Sequence, residues 1–172
     1  MFLSDSIKHG KVPAAFDKLL APIEEATGGT WDVYAEPDWG VRLTLRDGET
    51  RLGYFRMSME NEVDRVAWKL DPGRTAYRLA SQRDCRPEWR EAGAPSHIWI
   101  VSSVEFFESG HRNRGYGKRI YRAFIAYARA NGGGVLGPDE CVGGSTSRLA
   151  KGVWRSLCES DNRECVGPWI VL

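Results

Sequence analysis

Apolar residues recur along this chain in two periods, and the switches between them mark out its elements. Val12, Phe16, Leu19, Leu20 and Ile23 stand at helical spacing, Pro13 suits a first helical turn, and Gly28-Gly29 stops the run, which predicts an amphipathic first helix. Alternation takes over at Trp31, Val33 and Ala35, and again at Val41, Leu43 and Leu45 up to the turn dipeptide Asp47-Gly48. The chain then returns through Leu52, Tyr54 and Phe55 towards Met59, which predicts a β-hairpin. From Asn61 to Pro95 the pattern fails: Asp71-Pro72-Gly73 reads as a turn, and Tyr77, Leu79 and Ala80 suggest a helix from about Thr75 to Cys85, with Pro87 either ending it or beginning another element. Order returns with Ile98-Trp99-Ile100-Val101, continued by Val104, Phe106 and Phe107, a run rich in the residues of a buried strand. A second amphipathic helix carries Ile120, Phe124, Ile125 and Ala128 and stops at Asn131-Gly132-Gly133-Gly134. A short strand near Val135-Leu136, a helix with Leu149, Val153, Trp154 and Leu157, and a last strand from Gly167 to Leu172 complete the series.

Alternating strands and helices in a chain of 172 residues make an α/β fold in a single domain, 1–172, with 61–95 as an inserted or variable segment. The sheet is expected to be mixed and mostly antiparallel, flanked by helices on both faces. A hydrophobic content of 42%, a charged content of 27% and a net charge of +1 exclude disordered, fibrous and membrane classes and name no partner. Cys85, Cys141, Cys158 and Cys165 form no Cys-x-x-Cys pair and have no histidine at ligand spacing, so no metal site is expected and free thiols are the simplest reading, a disulfide the alternative. The start, Met1-Phe2-Leu3-Ser4-Asp5, lacks the basic residues and long apolar run of a secretory signal, and no stretch approaches membrane-spanning length. The cytoplasm is therefore the expected compartment.

Chemistry gathers between the buried strand and the second helix, in Ser109-Gly110-His111-Arg112-Asn113-Arg114-Gly115-Tyr116-Gly117. Two glycines at alternate positions let backbone amides approach a ligand, and the helix N-terminus adds partial positive charge. Arg112, Arg114, Lys118, Arg119 and Arg122 succeed one another with no acid among them, a local charge that would attract a polyphosphate.

Strand, Arg-x-x-Gly-x-Gly, amphipathic helix, glycine stop and short strand together resemble the signature of the Gcn5-related N-acetyltransferases (GNAT). The resemblance covers most of the chain except 61–95. It implies that Arg112, Asn113, Arg114, Gly115, Tyr116, Gly117 and Lys118 grip the pyrophosphate of acetyl-coenzyme A, and that Val104, Phe106 and Phe107 lie along its pantetheine arm. It also implies a splay between two central parallel strands, where the strand from Ile98 to Phe107 would offer its backbone to that arm. The family's second landmark, Asn-x-x-Ala-x-x-x-Tyr, is met here by Ser147, Ala150 and Trp154. An indole N–H donates hydrogen bonds but no catalytic proton, so the role of the family's tyrosine falls elsewhere. Ser147 would hold a bridging water, with Ser145 or Cys158 as alternative proton donors, while Trp154 reads as a core residue. Trp154 followed by Leu157 also resembles acetyltransferase-like proteins of phages and mobile elements.

Removal of a proton from a substrate ammonium calls for a carboxylate beside the strand. Glu105 is the first candidate if its apolar neighbours bury it, against the alternative that it faces solvent; Glu108 is the second, and His97 and His111 titrate in a suitable range. Arg74, Arg78, Arg83, Arg86 and Arg90, with Tyr77 and Trp89, invite a nucleic-acid reading, but Asp84, Glu88 and Glu91 are interleaved, and the segment reads better as a substrate wall or partner surface. The expected function is acetyl transfer from acetyl-coenzyme A to an amine, in a small molecule or a protein. The alternative is a binding module of the same fold, such as a phage-type inhibitor of a host protein. A homodimer is left open.

Overall fold

The computed structural model describes residues 12–36, 40–59, 97–138, 146–161, 163–166 and 169–172. Helix α1 (Ala15–Thr27) leads to strands β1 (Thr30–Glu36), β2 (Gly40–Asp47), β3 (Thr50–Met59) and β4 (Ile98–Phe106). Next come a 3-10 turn (Ser109–His111), helix α2 (Tyr116–Ala130), β5 (Val135–Pro138), helix α3 (Arg148–Ser160), β6 (Cys165–Val166) and β7 (Trp169–Val171). The inserted segment 61–95, with its expected helix and its arginines, lies outside the described residues, as do Cys85, Cys141 and Ser145.

The strands form one sheet in the order β1-β2-β3-β4-β5-β7-β6. Every pairing is antiparallel except β4 with β5, which run parallel from Ile98 opposite Val135 to Val101 opposite Pro138. The fold is thus a mixed, mostly antiparallel α/β fold. Among the described residues, no helix is long and apolar enough to cross a membrane.

The helical stripe of α1 buries Phe16, Leu20 and Ile23, and the helix ends where Gly28, in the left-handed region, returns its N–H to the Glu24 carbonyl. Trp31 fastens β1 to that helix by donating from Nε1 to the Leu20 carbonyl at 3.1 Å. On the same face of the sheet lie Val33, Leu43, Phe55, Met57, Trp99 and Val101. The Phe55 ring centroid sits 4.9 Å from that of Phe106 and 5.6 Å from that of Trp31. Removing the ring at Phe55 would cost about 3–5 kcal/mol, because so enclosed a site collapses poorly. The buried side chains of α1, α2 and α3 all join this one cluster. Ile98, Ile100, Val135 and Trp169 are buried but lie outside it, on the opposite face of the sheet. Helices on both faces were expected; among the described residues the three helices serve the first face only.

Two departures from regular backbone shape the centre of the sheet. In β4, Met57 pairs with Val101 but Arg56 pairs with Ser103, so Ser102 is an extra residue, a bulge that bends the strand and raises its twist. Beyond the end of α2, Gly134 approaches His97 so closely that a Cβ would meet the His97 carbonyl oxygen, and its φ of 98° excludes most other residues. The glycine stop read from the sequence therefore brings β5 against β4.

The cysteines correct one expectation. Cys158 at the end of α3 and Cys165 in β6 form a disulfide, with Cα atoms 6.0 Å apart, where free thiols were the simplest reading. Cys158 consequently carries no proton to donate. Position 149 is a second correction: Leu149, placed with the apolar residues of α3, is 62% exposed.

Candidate functional site

A recess arises from the way β4 leaves β5. Beyond Val101 no described residue pairs with β4 on its β5 side, and the break coincides with the bulge at Ser102. A cleft of about 560 Å³ opens there, in the size range of small-molecule sites. One wall is the strand edge from Val101 to Phe106, with Pro138 beside it. A second is the turn and first residues of α2, including Arg112, Asn113, Gly115 and Gly117. The start of α3, with Ser147, Ala150 and Val153, closes the third side.

The turn is built for backbone donation. Asn113 at φ 60° and Gly115 at φ 76° both occupy the left-handed region, and among the described residues no side chain caps α2. The first N–H groups of the helix therefore have no internal partner and carry its positive dipole end. A Cβ on Gly115 would enter open space, so its constraint is conformational; one on Gly117 would meet Val153 at 3.6 Å. Negative charge suits such a turn, by the logic of successive amides converging on one point.

The cations around it are less available than their sequence suggests. Arg112 donates from Nε to the Phe106 carbonyl at 3.1 Å, and Arg114 donates from Nε to the Gly110 carbonyl at 2.7 Å, bracing the turn. Arg114 does not line the cleft, whereas Arg112 does. Lys118 lines it too, yet its Nζ donates to the Ser156 hydroxyl at 3.0 Å and sits 3.3 Å from Asp161 Oδ1. Arg122 donates to both oxygens of the same carboxylate, at 2.8 and 2.7 Å. Hydrogen bonding from Arg122, then from Lys118, holds the Asp161 carboxyl well below the usual carboxylate range. The run of bases with no acid among them thus has its acid after all, supplied from the far end of α3.

The remaining expected residues divide clearly. Val104 and Phe106 line the cleft, Phe106 almost fully buried; Phe107 is 43% exposed and stands away from it. Glu105 lines the cleft and is exposed to solvent, the alternative weighed against its burial. Glu108 is outside, paired with His111 Nε2 at 3.3 Å, and His111 itself borders the cleft. His97 stacks on Trp99 at the other end of β4. Ser147 lines the cleft and caps α3, its hydroxyl oxygen accepting from the Ala150 N–H at 3.2 Å.

Trp154 is buried, as a core residue should be, and packs 4.9 Å from the ring of Tyr121. Tyr121 was not among the expected site residues, although it lines the cleft. Burial pushes its phenol above the ordinary tyrosine value, so it stays protonated and remains a donor. The signal for it was the breadth of the apolar stripe on α2, where Ile120, Tyr121, Phe124, Tyr127 and Ala128 are all buried. No protein-family model matches this chain, and no curated protein matches it in sequence.

Proposed function

We propose that this chain is an N-acetyltransferase of the Gcn5-related type, transferring an acetyl group from acetyl-coenzyme A to an amine. One observation carries the reading: a strand edge and a left-handed turn at a helix N-terminus, the one unpaired and the other uncapped among the described residues, face the same cleft. A ligand with a polyanionic end and an amide-bearing arm suits those two walls, the first through the amides from Asn113 to Lys118, the second through the backbone of 102–106. Acetyl-coenzyme A has both parts.

In the proposed reaction the amine nitrogen attacks the thioester carbon, and the C–S bond then breaks. Glu105, on the wall of the cleft, takes the proton that the ammonium must lose before attack. Tyr121, kept neutral by burial, donates a hydrogen bond towards the departing sulfur from the helix that faces Trp154. Trp154 serves packing alone.

The competing reading, a binding module of the same fold, draws on the buried indole at position 154. Calorimetric titration with acetyl-coenzyme A separates the two, using the natural protein and a Gly115→Glu, Gly117→Glu variant. Micromolar binding that the variant loses supports the transferase; no binding by the natural protein removes it and leaves the module.

A further inference from the structure

On the face of the sheet away from α1 and α2, four arginines of β2 and β3 stand in two opposed pairs, Arg42 across from Arg56 and Arg46 across from Arg51. Like charges directly opposite one another weaken a sheet. Between the pairs, Thr44 faces Tyr54. Thr44 is 7% exposed, and its hydroxyl makes no hydrogen bond to a described residue. It forms part of a concavity of about 220 Å³ shared with Arg42, Arg46, Arg51, Tyr34 and Asp32.

The charges in this concavity are held in place and only partly compensated. Arg46 lies 3.6 Å from Asp32. Arg42 lies over the Tyr34 ring at 5.0 Å and Arg51 over the Tyr54 ring at 5.8 Å, and neither forms an ion pair with a described carboxylate. Among the described residues, three guanidinium groups and one carboxylate line the concavity beside the Thr44 hydroxyl, an excess of two positive charges. Repulsion between like charges across the strands is a cost in the free protein, and an anion in the concavity relieves it.

We infer that this concavity is a binding site for a phosphomonoester. A tetrahedral dianion offers three terminal oxygens to the forked donors of several arginines, and the Thr44 hydroxyl supplies one more donor. A monocarboxylate satisfies fewer of these groups and leaves a positive charge uncompensated. Glu105 shares the row of Thr44 and Tyr54, two strands away from Thr44, or about 10 Å at the usual strand spacing. If the acetyl-transfer reading holds, the acceptor is accordingly an amine whose phosphate lies about 10 Å from its nitrogen, again by that spacing. That consequence rests on the transfer reading; the phosphate site does not.

The test is calorimetric titration at pH 8 and low salt with phenyl phosphate and, separately, benzoate, run beside the acetyl-coenzyme A titration. Phenyl phosphate should bind about tenfold more tightly than benzoate or better, since it is a dianion at this pH. The double change Arg42→Gln, Arg51→Gln should weaken it about tenfold or more while thermal stability is kept or raised by relief of the repulsion. Should that variant fail to fold, Thr44→Val, a loss of about threefold, and Thr44→Ser, near natural affinity, decide the matter. Equal binding of the two ligands, or binding unaltered by these changes, overturns the site. Binding of phenyl phosphate without acetyl-coenzyme A leaves it standing and removes the transferase instead.

Discussion

Two recesses among the described residues are lined with cations, and they use them in opposite ways. Around the cleft, the basic residues are neighbours in sequence, and the structure spends their charge internally: Arg112 and Arg114 brace carbonyls, and Lys118 and Arg122 converge on Asp161. A strand edge and a helix start line the cleft beside them. On the outer face, the arginines are scattered through β2 and β3, and the fold brings them together with a single described carboxylate in their concavity. Two of the cations clustered along the chain share one acid, while on the outer face one of the three arginines in the concavity lies beside a described carboxylate.

Substitutions can break this contrast from either side. The largest effect is expected from Gly115→Glu, Gly117→Glu, which fills the turn with side chains and negative charge. Acetyl-coenzyme A affinity should fall by about 100-fold or more, an effect on the scale of losing charge-assisted bonds, and phenyl phosphate affinity, measured in the same calorimeter, should not change. Next comes Asp161→Asn. Charged hydrogen bonds of this kind contribute about 2 kcal/mol, so urea unfolding at pH 7 should show a loss of that order. The sign with pH is fixed by the depressed value in the folded state. The contribution is present above the unfolded value of about 4 and is lost as pH falls through the lower folded value, so the variant should lose less stability on acidification than the natural protein.

The same substitution sharpens the comparison, because it frees Lys118 and Arg122 beside the turn. Acetyl-coenzyme A should then bind about threefold more tightly at low salt, with the gain vanishing in high salt as the freed charges are screened. Smallest is Arg56→Gln, outside the concavity but opposite Arg42. It should raise thermal stability by about 0.5 kcal/mol through relief of the like-charge pair and leave acetyl-coenzyme A binding as it was.

Much of the fold was legible because burial imposes a period. The stripes of α1 and α2 and the alternation of β1 to β3 correspond to the residues that fill the core. The turn from Arg112 to Gly117 was legible for a different reason: a glycine in the left-handed region and a helix start are local events. The face of Glu105 was not, since the bulge at Ser102 interrupts the alternation that would have decided it. The tether of Lys118 escaped because its partner lies far along the chain in another element. The disulfide escaped because four cysteines allow several pairings. The arginine pairs were invisible for a subtler reason. Arg42, Thr44 and Arg46 alternate with buried residues, and polar positions in such a strand read simply as its wet side.

The bulge has a consequence for length as well as for shape. Ser102 occupies a place in the chain that has no counterpart in β3, so a chain lacking this one codon would run from Val101 to Ser103 in unbroken register, every core residue keeping its side. Such a shortened strand would lie straighter and carry less local twist. The core cluster does not include Ser102, yet the strand edge that walls the cleft begins beside this surplus residue, so its removal would redirect that wall while leaving each core residue on its side.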